Sequence, residues 1–180
     1  MARITLAVTG SISAYKAADL SNELTKLGHE VTVLMSRSAT QFISPLTLQS
    51  LTKNPVHTDI MKEEDPSSIK HIDLAKNTDL FLVAPLSANT LAKLAHGMAD
   101  NIVTAVALAL PMGVPKLIAP AMNTNMYLNP ASQHNLQLLR SYGFEEIKPR
   151  ESLLACGDFG TGALATIDTI LYEVQQRCQK

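Results

Sequence analysis

The sequence of 180 residues has no tryptophan, only two cysteines and almost no net charge. A formal net charge of −1 gives no electrostatic reason to expect a nucleic-acid or membrane-surface partner. Because Cys156 and Cys178 are too few for a disulfide framework, we expect a protein of the reducing cytoplasm. No apolar run approaches the ~18 residues that a membrane-spanning helix needs, and no internal repeat or metal site is predicted.

Short apolar segments alternate with segments of helical pattern along the chain. The apolar segments predict strands at Ile4–Thr9, Val31–Met35, Leu80–Ala84, Leu117–Ala119 and Phe144–Ile147. Nearly continuous apolarity is typical of strands that are buried on both faces, as in a parallel sheet. Residues 53–70 are predicted as an irregular excursion, and the glycine-rich residues 154–164 as a loop. The sequence therefore predicts one α/β domain over residues 1–180, a doubly wound, Rossmann- or flavodoxin-like parallel sheet with helices on both faces.

The first strand runs into the first helix at Gly10-Ser11-Ile12-Ser13. A glycine lets backbone N–H groups approach an anion, and a helix N-terminus favours negative charge. The segment is not G-x-G-x-x-G, and the second strand does not end in an acidic residue, so a mononucleotide such as FMN is favoured over a dinucleotide. A plain strand-to-helix turn with a serine N-cap is the alternative.

Two later strands also end in polar residues. After the third strand, Ser87, Asn89 and Thr90 are best explained by spacing alone as helix caps. After the fourth, Asn123 and Asn125 stand between two methionines, where an amide suits a carboxylate or a flavin edge. An Asx-turn flanked by core methionines is the alternative there.

Two further residues are candidates for proton transfer. His71 has apolar neighbours, which suits a partly buried acid or base, although a lone histidine is more often structural. Cys156 lies in the glycine-rich segment, an unusual place for a structural thiol. A loop of this kind can close over a substrate and bring a proton donor with it; an incidental thiol in an exposed loop is the alternative, and Cys178 is interpreted as incidental.

In their order and spacing these segments resemble the homo-oligomeric flavin-containing cysteine decarboxylases. The resemblance runs from Val8 to about Ile170, and its motifs are Gly10–Ala14, His71–Leu74, Ala84–Thr90, Pro120–Met126 and Ala155–Asp158. It implies a flavoprotein domain that uses FMN to decarboxylate 4'-phosphopantothenoylcysteine to 4'-phosphopantetheine in coenzyme A biosynthesis. The reaction would pass through a thioaldehyde and an enethiol.

The resemblance also implies residue roles. His71 would assist oxidation and decarboxylation, Asn123 would bind the substrate carboxylate, and Cys156 would donate the last proton. A homotrimer, or a multiple of trimers, would hold FMN between neighbouring subunits. Contacts with FMN are expected at Gly10, Ser11, Ile12, Ser36, Arg37, Ser38, Ser87, Ala88, Asn89, Thr90 and Ala121.

The sequence departs from the family at Leu86, Tyr127 and Ala163, where many members carry alanine, tryptophan and, in many bacterial members, arginine. The bifunctional bacterial members carry a fused synthetase domain, whereas here the ligase step is expected on another polypeptide. Among alternative functions, a peptidyl-cysteine decarboxylase stops at the enethiol and would not need Cys156. A non-catalytic FMN-binding regulatory relative would not need His71, Asn123 and Cys156 together. Those residues also argue against a flavin prenyltransferase and a flavodoxin-like electron carrier.

Overall fold

Six parallel strands form the main sheet of the computed structural model, which describes residues 1–62 and 66–178. The strands are β1 (Arg3–Val8), β2 (Glu30–Met35), β3 (Val56–His57), β4 (Leu80–Leu86), β5 (Lys116–Pro120) and β6 (Phe144–Glu146). Their order is β3-β2-β1-β4-β5-β6, and all neighbours pair in parallel. This is the order of doubly wound nucleotide-binding sheets, with a topological switch point between β1 and β4. The predicted fold class is confirmed.

Helices cover both faces of the sheet. They are α1 (Ala17–Lys26), α2 (Pro45–Thr52), α3 (Lys70–Lys76), α4 (Ala88–Ala95), α5 (Ile102–Ala109), α6 (Thr124–Leu128), α7 (Pro130–Ser141) and α8 (Ile167–Cys178). A 3-10 helix, Ile12–Lys16, leads directly into α1, and a second one covers Ala39–Gln41. Within the described ranges, no helix combines the length and the apolarity that crossing a membrane requires.

Each face of the sheet has its own hydrophobic core. Ile4, Leu6 and Val8 of β1 pack in one cluster with residues of α1, α2 and α8. Ala7, which points to the opposite face, belongs to a second cluster with residues of α4, α5 and α7. The strands are therefore buried on both sides, which is why their sequences are apolar almost throughout.

The prediction of a loop at residues 154–164 is right for residues 154–158 and wrong for residues 159–163, which form a strand. β7 (Arg150–Leu153) and β8 (Phe159–Ala163) pair antiparallel and form a two-stranded hairpin. Five residues, Leu154 to Asp158, connect the two strands, and within them Gly157 takes a φ of +90°. The glycines of β8 allow a close backbone contact, described below, rather than a disordered chain.

The remaining differences concern short elements. β4 continues through Pro85, because its pairing with β5 is irregular between Val83 and Leu86 and the ladder thus accommodates a residue without an N–H group. The stretch predicted as irregular contains β3 and the first residue of α3, while residues 63–65 of it lie outside the described part of the chain. Helix α6 escaped prediction because five residues are too few to show a helical period.

Candidate active site

A cavity of about 780 Å³ opens at the carboxyl ends of β1, β2, β4 and β5. Doubly wound sheets bind their ligands at this edge, beside the switch point. All eleven residues predicted to contact FMN line the cavity, as do Asn123 and Cys156, whereas His71 is not among the lining residues. Sequence reasoning missed Lys16, Lys93, Asn101 and Arg150, which also line it.

The loop after β1 is in tight contact with the loop after β2. A Cβ atom at Gly10 would lie 2.5 Å from Cβ of Ser38, so a side chain at this position would push the two loops apart. The Ser11 side chain caps the following 3-10 helix by accepting a hydrogen bond from the Ser13 amide at 3.3 Å. Arg37 is exposed and lines the cavity between these loops. The serine N-cap that was predicted as an alternative is therefore present. The same part of the cavity wall also suits an anion.

The buried Thr9 hydroxyl joins the ends of β1 and β4. It donates to the carbonyl of Pro85 at 2.7 Å and accepts from the amide of Ser87 at 2.8 Å. The Ser87 side chain in turn caps α4 by accepting from the amide of Thr90 at 3.3 Å. Of the three residues predicted as helix caps after β4, Ser87 is the cap, whereas Asn89 and Thr90 lie in the first turn of α4; all three line the cavity.

Asn123 follows β5 and uses both ends of its amide. Its Oδ1 accepts a hydrogen bond from the Asn125 amide at 2.9 Å, which caps α6. Its Nδ2 donates to Sγ of Cys156 at 3.3 Å. The Asx-turn predicted as the alternative exists, and it orients the amide so that its NH₂ group faces Cys156.

Two glycines of β8 bring the hairpin against the chain that follows β5. The Met122 amide donates to the carbonyl of Gly162 at 3.0 Å, and a Cβ atom at Gly162 would lie 2.2 Å from the carbonyl oxygen of Met122. The φ of Gly162 is +149°, which a larger residue rarely adopts. A Cβ atom at Gly160 would approach Oγ1 of Thr124 to 2.5 Å. This close packing determines where the tip of the hairpin lies.

Cys156 lies at that tip, with its side chain exposed. Its Sγ is within 3.4 Å of Oδ2 of Asp158, to which the thiol can donate, and it accepts from Asn123. Cys178 differs, because it is half-buried at the end of α8 and burial raises the pKa of its thiol. The two cysteines of the chain thus lie in unlike environments, and Cys156 alone faces the cavity.

Helix α6, which Asn123 caps, is held by a partly buried polar network. The Tyr127 hydroxyl donates to Glu146 at 2.9 Å, and Arg140 binds the other oxygen of the same carboxylate. The Glu146 side chain is only 3% exposed. Desolvation first, and then the hydrogen bond to Glu146, raises the pKa of Tyr127 to about 12. Tyr127 therefore remains a neutral hydrogen-bond donor and ties α6 to β6.

His71 lies on α3, partly buried, and outside the cavity wall. Its Nδ1 atom is buried and has no hydrogen-bond partner among the described residues. The structure therefore does not bring His71 together with Asn123 and Cys156 within one chain.

The charged residues on the cavity wall are mainly cationic. Lys16, Arg37, Lys93 and Arg150 line it, together with Asp100. Asp100 accepts hydrogen bonds from Lys93 and Asn101, and the bond from Lys93 lowers its pKa. Arg150 lies directly opposite Ala163 in the hairpin. A cavity with a net excess of positive side chains favours anionic ligands.

The residues present fit a flavin mononucleotide. The Gly10–Ser38 contact forms a cradle that one added carbon atom would fill, and Arg37 and several hydroxyls lie at the same place. Small residues, Ala88 and Ala121, line the part of the cavity beyond β4 and β5, where a flat ring can approach the backbone. The cavity volume lies in the range of cofactor sites.

Comparisons with known proteins agree with this arrangement. A probable phosphopantothenoylcysteine decarboxylase from Streptococcus mutans serotype c is 64% identical over 97% of this chain and 98% of its own. A solved PPC decarboxylase mutant in complex with pantothenoylaminoethenethiol superposes with a TM-score of 0.92 at 33% identity, over 99% of both chains. The FMN-binding protein AtHal3 gives a TM-score of 0.85 at 36% identity, over 97% of this chain and 95% of its own.

The match to known families covers almost the whole chain. A single family description, Flavoprotein, matches residues 1–179, a range that contains every lining residue named above. The flavin cofactor expected from the sequence is therefore confirmed at the level of the family, and the chain belongs to the Flavoprotein family.

Proposed function

We propose that this protein removes CO₂ from the cysteine end of 4'-phosphopantothenoylcysteine and releases 4'-phosphopantetheine, an FMN-dependent step of coenzyme A biosynthesis. The observation that carries the proposal is the 3.3 Å hydrogen bond between the Asn123 amide and the Cys156 thiol on the cavity wall. It places the Asn123 amide, a hydrogen-bond donor for the substrate carboxylate, beside the Cys156 thiol, which can donate a proton. The Streptococcus mutans relative, which is named for this reaction, supports it.

The loops at 10–12 and 36–38 would hold the FMN phosphate, and residues 87–90 and Ala121 would hold the ring. FMN, when bound, supplies a reversible hydride acceptor, which lets a reaction without net redox change pass through an oxidised substrate. The protein's contribution is orientation. The Thr9 hydroxyl fixes the loop after β1 relative to the loop after β4, so the two ends of the cofactor site keep a constant separation.

Asn123 binds the substrate carboxylate through Nδ2. Because Oδ1 already accepts from the Asn125 amide, the amide group cannot turn over without breaking a helix cap. The NH₂ group is thereby kept toward the cavity, and it is the half of the amide that a carboxylate needs. The residue also disfavours a substrate bound with one of its neutral carbonyl groups at Asn123, because a neutral carbonyl is a weaker hydrogen-bond acceptor than the carboxylate.

Cys156 donates a proton to the substrate carbon that has lost the carboxyl group. Its Sγ lies 3.3 Å from the group that binds that carboxyl, so the thiol and the reacting carbon are neighbours. The hairpin also covers this side of the cavity and keeps water from the intermediate. A cytoplasmic location, which we include in the proposal, keeps such a thiol reduced.

His71 reaches the reaction centre from another copy of the chain. Its absence from the cavity wall of its own chain supports a homotrimer, or a multiple of trimers, with FMN between neighbouring subunits. The exposed side chain of Ile69, two residues before it, gives the same surface an apolar contact for a neighbour. In that position His71 assists the oxidation and the loss of CO₂.

The hydrogenation state of the product tests the proposal. We expect the yellow holoenzyme to convert 4'-phosphopantothenoylcysteine into a product lighter by CO₂ alone, measured by mass spectrometry. A product that lacks two further hydrogens would instead indicate an enzyme that stops at the enethiol, as peptidyl-cysteine decarboxylases do. An unchanged substrate would contradict the proposed catalysis and favour a regulatory FMN-binding protein.

A further inference from the structure

Two cationic residues line the same cavity. Lys16 is the last residue of the first 3-10 helix, and Arg150 is the first residue of β7. Burial lowers the pKa of Lys16, and the nearby charge of Arg150 lowers it further. Within the described ranges neither side chain forms an ion pair, and the cavity-lining carboxylate Asp100 is already bonded to Lys93. Two cations that line one cavity and that no carboxylate neutralises favour an anionic ligand.

Each side chain of this pair makes one contact with a neighbouring group. Arg150 donates from Nε to the carbonyl of Leu164 at 3.2 Å, which fixes the plane of the guanidinium. Lys16 carries its ammonium 5.9 Å from the ring centre of Tyr15. The terminal guanidinium nitrogens of Arg150 form no hydrogen bond with the described residues. Their fork geometry suits the oxygens of a phosphate.

Strand β7 connects the pair to the Asn123–Cys156 contact. Its four residues span roughly 10 Å at about 3.3 Å per residue, and the turn at the tip then carries Cys156. Arg150 and Ser152 line the cavity, while Glu151 between them points away and accepts from Thr161. A long substrate that is held by its carboxylate at Asn123 and extended along β7 therefore presents its opposite end to Arg150 and Lys16.

The geometry points to a phosphate-monoester subsite at Lys16 and Arg150, which holds the end of the substrate remote from the cysteine. This inference rests on the proposed function, since it takes the cysteine end to lie at Asn123. A phosphate monoester carries close to two negative charges at neutral pH, so the pair selects phosphorylated substrates over cysteine compounds that lack the group. The same chemistry is present in the FMN phosphate, and the test separates the two sources.

The experiment compares the holoenzyme with the variant Lys16→Gln/Arg150→Gln on 4'-phosphopantothenoylcysteine and on pantothenoylcysteine. We expect the double variant to lose about 100-fold of the wild-type preference for the phosphorylated substrate through KM, and each single variant about tenfold. kcat/KM for pantothenoylcysteine and the flavin absorbance per protein stay unchanged. Lys148→Gln is the charge-matched control, because Lys148 is exposed, lies near Arg150 in sequence and does not line the cavity. Lys16→Arg, which keeps the charge, retains the preference.

Binding without turnover gives a second measurement. Titration calorimetry with 4'-phosphopantetheine and pantetheine should show the same loss of preference in the double variant. Loss of FMN from the variants, with riboflavin bound as well as before, would overturn the inference and assign the pair to the cofactor. A wild-type enzyme that accepts both substrates equally would overturn it while leaving the decarboxylase intact. A wild-type enzyme that converts neither substrate would contradict the proposed function itself.

Discussion

The amide of Asn123 donates a hydrogen bond to the thiol of Cys156 across 3.3 Å, although the two residues lie 33 positions apart in sequence. The contact joins a loop that follows the main sheet to the tip of a separate hairpin. It defines the point at which a substrate can be bound by its carboxylate and protonated by its neighbour.

Cys156→Ser should release CO₂ but leave the product as the enethiol, because a hydroxyl is a far weaker acid than a thiol. Mass spectrometry would show a product two hydrogens short of 4'-phosphopantetheine. Cys178→Ser is the matched control and should give the complete product, since Cys178 does not line the cavity. Normal output from Cys156→Ser would remove the proton-donor role.

Asn123→Asp should raise KM for the substrate by about tenfold or more, since a carboxylate would then face the substrate carboxylate. Steady-state kinetics and a flavin measurement check this, with FMN content expected to stay constant. Asn125→Asp is the control, because Asn125 is exposed, lies two residues further along the chain and is not part of the cavity wall. Equal effects of the two substitutions would point to a change in α6 rather than to substrate binding.

His71→Asn should abolish turnover while the protein remains yellow and folded; His134→Asn, an exposed histidine on α7, should leave turnover unchanged. Mixed oligomers of His71→Asn and Cys156→Ser give the stronger test. If each site combines the two residues from different subunits, random mixing should restore about one quarter of the wild-type output of 4'-phosphopantetheine. Mixtures as inactive as the two parent variants would contradict a shared site.

Gly162→Ala should displace the hairpin, because the new methyl group would lie 2.2 Å from the carbonyl oxygen of Met122. We expect kcat to fall further than the decrease in Tm alone would explain. Gly157→Ala is the comparison: it also has positive φ, which costs of order 1–3 kcal/mol, but nothing lies within 4 Å of its added carbon. A similar kcat for both variants would show that the hairpin's position is not critical.

The phenol of Tyr127 should ionise near pH 12 in an ultraviolet titration. Its pKa is raised in the folded state, so its contribution to stability is complete below the unfolded value near 10 and is lost as pH rises toward 12. Tyr127→Phe should lack the ionisation step near pH 12 and should show a flatter dependence of Tm on pH between about pH 10 and pH 12. An unchanged curve would show that the bond to Glu146 does not persist in solution.

Parts of the candidate site could be predicted because their residue types have few other uses. A glycine and hydroxyls directly after a buried strand indicate an anion loop, and the 2.5 Å approach of Ser38 shows why position 10 has no side chain. Asn123 could be predicted as a candidate because it follows a buried strand and its amide offers both a hydrogen-bond donor and an acceptor. The doubly wound parallel sheet followed from the alternation of apolar strands with helices.

Other parts could not be predicted, because they depend on contacts between distant segments. Arg150 carries no local signal, and its place in the site becomes visible only once residues 150–163 form a hairpin whose first residue lines the same cavity as Lys16. The hairpin was hidden because Gly160 and Gly162 suggested a loop, whereas they allow a backbone approach to residues 122–124. The distance of His71 from the cavity is likewise a property of the assembled chain and not of its motif.

The single hydroxyl of Thr9 ties together the two strands at the switch point. Since it bonds to both the carbonyl of Pro85 and the amide of Ser87, these strands cannot separate without leaving two buried polar groups unpaired. The loops after β1 and β4, which line the cavity, are therefore held at a fixed separation. The hairpin is positioned independently of that bond, through the contacts of Gly160 and Gly162 with residues 122–124. A change in the hairpin such as Gly162→Ala should therefore alter the position of Cys156 more than the binding of the flavin.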